Sequence, residues 1–211
     1  MREEFSASNL VKMDCQKLCA FRKGSEEVAV TDLMLKGNEY AKEVTKSEYA
    51  EMEGIFYSRK GSPISIKFSI DEVQIKDVPG RDQIHRLAKI IEHKMVSFDP
   101  NKDYFQKALL QTAFYKSLLI YSDKKLATAD YYDGPKHELN LTGCSLFSTL
   151  NFGGTLYNVD CDEKRVMKFF VAKARASLSF ITAEEFDEKN PDSWEAIGGK
   201  NVIKVNKISN D

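Results

Sequence analysis

The chain has 211 residues, 42% of them hydrophobic and 30% charged, with 31 basic against 32 acidic side chains and a net charge of −1. That length supports one sizeable domain with its own core, and the balance is not that of a strongly basic, histone-like binder. Nucleic acid stays open as a partner, because a basic groove can sit on a neutral protein.

The opening residues, MREEFSASNLVKM, lack the apolar core of a secretory signal. No apolar run approaches the roughly 18 residues of a membrane span. The expectation is a soluble, intracellular (cytoplasmic) protein with no membrane partner. SASNLVKMDCQKLCAFRKG offers Ser8 or Asn9 as an N-cap, then Leu10, Met13, Cys15, Leu18, Cys19 and Phe21 at roughly helical spacing, closed by Gly24. A second helix is expected over 31–53, or two helices meeting at Gly37. A hairpin follows, with strands at 55–59 and 64–76 joined through Lys60-Gly61-Ser62-Pro63. Ile64, Ile66, Phe68 and Ile70 alternate in its second strand. Pro79-Gly80 is a turn, and two short strands are expected at 82–86 and 88–96.

DPNKDYFQKALLQTAFYKSLLIYSDKK, residues 99–125, is the clearest helix. LATADYYDG, HELNLTGCSLFSTLNFGG and TLYNVD read as strands, and DEKRVMKFFVAKARASLSFI as an amphipathic helix. Its polar residues Lys164, Arg165, Lys168, Lys173 and Arg175 read as a solvated face, with a DNA track as the rival reading. The tail adds a short strand. The fold class expected is α/β: one domain over 1–211 with a mixed central β-sheet flanked by helices. Its core spans about 31–135, and 136–211 adds C-terminal strands and a helix.

The stretch GRDQIHRLAKIIEHK places Asp82, Glu92 and Lys94 in what otherwise reads as buried strand. Asp and Lys are poor strand formers, and buried charges are costly unless they are paired or bind a metal. Two carboxylates on adjacent strands can hold a divalent cation through hard oxygen ligands. A lysine beside them can act on the water that attacks a phosphodiester. His93 alternates with Glu92 and Lys94, so its side chain belongs on the opposite face of the sheet, in a structural role. His85-Arg86 reads equally as a phosphate contact or a hairpin-tip charge pair. Glu72, Gln74 and Lys76 form a rival acidic–lysine strand, ranked lower because no glutamine-bearing helix follows it at once.

The turn, the Asp, the hairpin and Glu92-His93-Lys94 resemble the central signature of the PD-(D/E)XK nuclease superfamily. Gln111 and Tyr115, one helical turn apart, resemble the QxxxY motif of its RecB-like branch and that branch's CRISPR-associated relatives. SASNLVKMDCQKLCAFRKG resembles the opening segment of the same branch. The expected element order matches the restriction-endonuclease-like αβββαβ core, and the likeness covers about residues 5–135.

The resemblance implies a nuclease that hydrolyses single-stranded, end-bearing or branched DNA with Mg²⁺ or Mn²⁺. Asp82, Glu92 and the backbone carbonyl of His93 would hold the metal. Glu39, or Glu43 one turn on, would complete the shell, as a helical Glu does in the superfamily's Holliday-junction resolvases. Lys94 would position or activate water, and Gln111 and Tyr115 would support the site. Arg81, Arg86, Lys102, Lys107 and Lys116 would form the DNA track. Resolvase kinship implies a homodimer. The size and the lack of a Walker A sequence point to a stand-alone enzyme of the kind a mobile element or an archaeal virus carries.

Two departures stand against this pattern. Gly80-Arg81-Asp82 is one residue shorter than the branch's Gly-x-x-Asp, and no His follows Gly37. They motivate the alternative, a catalytically degenerate DNA-binding protein on the same fold. The four cysteines, Cys15, Cys19, Cys144 and Cys161, contain no CxxC pair and are divided two early and two late, where related proteins with an iron–sulfur cluster place one early and three late. They read as buried free thiols, with zinc or an iron–sulfur cluster as the rival.

Overall fold

The computed structural model describes residues 3–12, 39–58, 63–81, 83–95, 102–178, 191–192 and 195–208. Strand β1 (Glu3–Ser6) leads into helix α1 (Ala7–Lys12), and residues 39–44 are helical (α2). There follow β2 (Tyr49–Ser58), β3 (Ile64–Pro79), β4 (Ile84–Lys94) and helix α3 (Lys102–Tyr121). Then come β5 (Lys125–Thr128), β6 (Glu138–Asn140), β7 (Ser145–Phe152), β8 (Thr155–Cys161), helix α4 (Glu163–Leu178) and β9 (Ile203–Lys207).

Among the described residues nine strands form one mixed sheet in the order β6-β5-β2-β3-β4-β7-β8-β9, with β1 pairing parallel to β3 beside this path. β2, β3 and β4 form an antiparallel meander, and β4 runs parallel to β7. A parallel pair needs a crossover, and α3 lies in the connection between β4 and β7. The expected mixed α/β class is therefore present. No described helix is long and apolar enough to cross a membrane.

Helix α3 is buried from Thr112 to Leu119 without interruption, because the sheet, α1 and α4 all pack on it. Phe114 stacks on Phe170 of α4 with ring centroids 3.5 Å apart. Gly54 lets β2 pass close to its neighbours: a Cβ there would stand 2.5 Å from Phe68 Cζ and 2.8 Å from Leu126 Cδ2.

Three expectations change. The helix expected over 31–53 gives way to strand at Tyr49, where pairing with Val73 overrides the helical preference of AEME. Residues 31–38 lie outside the described set, as do most of the first expected helix, from 13 on, and Lys60-Gly61-Ser62. The two strands expected at 82–86 and 88–96 are one continuous strand, β4. It is laddered to β3 from Glu72↔Ile91 to Pro79↔Ile84 and to β7 from Leu87↔Ser145 onward, so nothing breaks it.

Candidate active site

β3 changes phase in mid-strand. Its core residues are Ile64, Ile66, Phe68 and Ile70 at even positions, then Val73 and Ile75 at odd ones. The break falls on Asp71-Glu72. Across from it on β2, Glu51 has a left-handed backbone, φ 48°, uncommon for a residue with a side chain. The β3–β4 ladder ends at the same place, at Glu72↔Ile91, while β4 continues to Lys94 against β7 alone. The next backbone donor on β4 that would need a partner, the His93 N–H, is taken by the Asp71 side chain at 2.7 Å (Oδ2). Two strands therefore part, and a carboxylate stands in the fork.

Beyond the fork, Glu92 and Lys94 project from one face of β4 by strand alternation. The Lys94 ammonium pairs with Glu92 Oε1. Gln111 of α3 donates through Nε2 to the same oxygen at 2.7 Å and to Tyr115 Oη at 2.8 Å. Glu92 is 3% exposed, and its other oxygen, Oε2, is buried with no hydrogen-bond partner among the described residues. Burial and the nearby Asp71 charge push the Glu92 carboxyl up to about 8, against the pull of Lys94. Burial opposes the charge on Lys94, but Glu92 and Asp71 outweigh it and hold the ammonium above its ordinary range.

Glu51 adds a third carboxylate. Burial raises its pKa, and so does the charge of Asp71. Tyr131 donates to Glu51 Oε2 at 2.8 Å. Glu51 and Asp71 line a cavity of about 400 Å³, with Lys42 of α2 and Tyr132 on its wall. Among the described residues no three His, Cys, Asp or Glu side chains are gathered closely enough to hold a metal ion between them.

The raised Glu92 pKa has a stability consequence in the metal-free protein. Between about pH 4.5 and about 8 the folded protein holds a proton that the unfolded chain has released, so this contribution is lost as pH rises through that window. Thermal unfolding in chelator should show Tm falling from about pH 5 to about pH 8, and Glu92→Gln should flatten that slope. An unchanged slope in the variant would remove Glu92 as its cause.

Of the sequence-derived residues, Glu92, Lys94, Gln111 and Tyr115 come together as one connected group. Asp82 lies outside the described residues. Its described neighbours Arg81 and Gln83 are exposed at the β3–β4 hairpin end, and Ile84, where β4 begins, lies eight β4 residues, about 26 Å, from Glu92. The carboxylate at the fork is Asp71, a residue outside the set expected from the sequence. Glu39 and Glu43 are exposed on α2, and neither lines the cavity that takes Lys42.

Arg86 is exposed and paired with Asp77 across the hairpin at 3.0 Å. Lys102 opens α3, and Lys107 is half-buried on it. Lys116 is corrected as a DNA contact: it is buried, and its ammonium is held by Asp160 at 3.1 Å and Glu163 at 3.0 Å. On α4, Lys173 is buried and lies over the Phe169 ring, so it leaves the expected solvated face. Glu72 of the rival strand bonds the buried ring of His93 on the sheet face opposite Glu92. Cys144 and Cys161 are free thiols, and Cys15 and Cys19 lie outside the described residues.

No family model, curated protein or solved structure matches this chain.

Proposed function

We propose that this protein is a divalent-metal-dependent nuclease that hydrolyses phosphodiester bonds in DNA. The observation that carries the reading is the orphaned, buried Glu92 Oε2, on a carboxyl that feels the Asp71 charge and is backed by Lys94, Gln111 and Tyr115. A carboxylate oxygen buried without a donor is costly, and a cation relieves both it and the repulsion from Asp71. Asp71, Glu92 and the His93 backbone carbonyl would hold the ion, and Glu51, in place of Glu39, would reach it only through water. Mg²⁺ suits so sparse a set, since it keeps several waters and takes one or two carboxylates. When bound, the ion would lower the pKa of a water and offset charge on the phosphate.

The chain's own residues divide the remaining work. Lys94, held above its ordinary range, keeps its proton near neutral pH, so its role is electrostatic stabilisation of the phosphate rather than proton abstraction. Gln111 fixes Glu92 Oε1, and Oε2 is left without a donor among the described residues. The order α2-β2-β3-β4-α3, with β7 returning parallel to β4 after the intervening β5 and β6, supports a restriction-endonuclease-like core. A homodimer would suit a junction-resolving member, and a monomer an end-processing one.

The absence of three gathered ligands among the described residues favours a second reading, a DNA-binding protein on the same fold with a degenerate site. Cleavage of single-stranded, duplex and four-way-junction DNA with Mg²⁺ or Mn²⁺ separates the two. The nuclease reading expects metal-dependent cutting that falls about a thousandfold in Glu92→Gln, roughly 4 kcal/mol of transition-state stabilisation. DNA binding without cutting by folded wild type supports the second reading.

A further inference from the structure

On the face of the sheet opposite Glu92 and Lys94, a chain of hydrogen bonds crosses three strands. Glu72 of β3 accepts from the Lys46 N–H at 3.2 Å and from Gln74 Nε2 at 2.8 Å through Oε1, and bonds His93 Nε2 at 2.8 Å through Oε2. Asn151 of β7 lies 2.9 Å from His93 Nδ1, and its Oδ1 accepts from the Gly154 N–H at 3.0 Å. That last bond sets the amide: Asn151 Nδ2 must donate to Nδ1, so Nε2 carries the ring proton and donates to Glu72. The β7–β8 turn closes the circuit, because the Gly153 N–H donates to the Lys94 carbonyl at 2.9 Å.

This circuit lies where β4 has lost its ladder to β3. Among the described residues, the hydrogen bonds that hold segment 92–94 toward β3 both run through His93: its backbone N–H on Asp71 and its ring on Glu72. A buried His–Glu pair is weak support for stability as such, and fixing register is the best-attested use of buried polar pairs. We propose that His93 is a positioning residue, and that the Glu72–His93–Asn151 chain sets Glu92 and Lys94 relative to Asp71 from behind the sheet. The proposal rests on the nuclease reading above.

The test compares wild type, His93→Ala, His93→Gln and Asn151→Ala in DNA cleavage and in Mn²⁺ binding followed by electron paramagnetic resonance, with thermal unfolding as the check on folding. Gln can still donate to Glu72. Asn151→Ala breaks the chain from β7 without touching β4, which keeps the test usable should His93→Ala fail to fold. The expected result is a loss in kcat of about 10- to 100-fold and about tenfold weaker Mn²⁺ binding in the Ala variants, with partial recovery in His93→Gln. KM for DNA should stay within about twofold, because the substrate contacts are untouched. Folded Ala variants with lower Tm but wild-type kcat and Mn²⁺ affinity would overturn the positioning role and leave the nuclease reading intact. A wild type that neither cuts nor binds Mn²⁺ would overturn both.

Discussion

Asp71→Asn is expected to lower metal-dependent DNA cleavage about a thousandfold, while Asp82→Asn leaves it within about threefold of wild type. Asp71 stands in the fork between β3 and β4, its Oδ2 on the His93 N–H and its charge felt by both Glu92 and Lys94. Asn can keep the 2.7 Å bond through its carbonyl oxygen, so the local backbone has a route to stay in place. What it removes is the negative charge. Glu92 should then ionise more readily, since Asp71 is the largest charge raising its pKa. Loss of cutting together with an eased Glu92 separates a ligand role from simple damage. The reverse pattern, activity lost in Asp82→Asn and kept in Asp71→Asn, would restore the arrangement expected from the sequence.

Lys94→Met should reduce kcat by about a hundredfold to a thousandfold, the usual range for one electrostatic stabiliser. Its effect on stability is set by Glu92. Removing one partner of a buried ion pair costs about 3–5 kcal/mol when the other charge is stranded. Glu92 escapes that by taking up a proton, because burial and Asp71 already push it to about 8 and the Lys94 pull is gone. The loss should therefore be small near pH 6 and grow as pH rises past about 8, where keeping the proton costs more. Parallel Tm measurements on wild type and variant across that range check it. A pH-independent loss would mean that Glu92 stays charged in the variant.

The pieces of the site legible in the sequence are those fixed within one element. Glu92 and Lys94 are two apart on a strand, and Gln111 and Tyr115 four apart on a helix, so local geometry alone puts each pair on one face. The partner carboxylate depends on the register between strands, which turn and strand lengths decide. Reading 82–86 and 88–96 as two short strands put Asp82 and Glu92 on adjacent strands. The actual hairpin has arms of 16 and 11 residues and pairs Glu72 with Ile91, which brings Asp71 to the site.

A signal for this was present. The alternation noted at Ile64, Ile66, Phe68 and Ile70 resumes at Val73 and Ile75 on the other parity, and the break brackets Asp71-Glu72. Such a break means the chain gives up regular packing for something local. Glu51 was hidden for a different reason: its segment has strong helix formers, and pairing with β3 and β5 makes it strand.

The most direct test of the account is an anomalous difference map from crystals of the protein soaked in Mn²⁺. A peak is expected in the fork between β3 and β4, within coordination distance of Asp71 and of Glu92 Oε2, and its loss is expected in Asp71→Asn. A peak at the β3–β4 hairpin end, or no peak in the fork at saturating Mn²⁺, would contradict it.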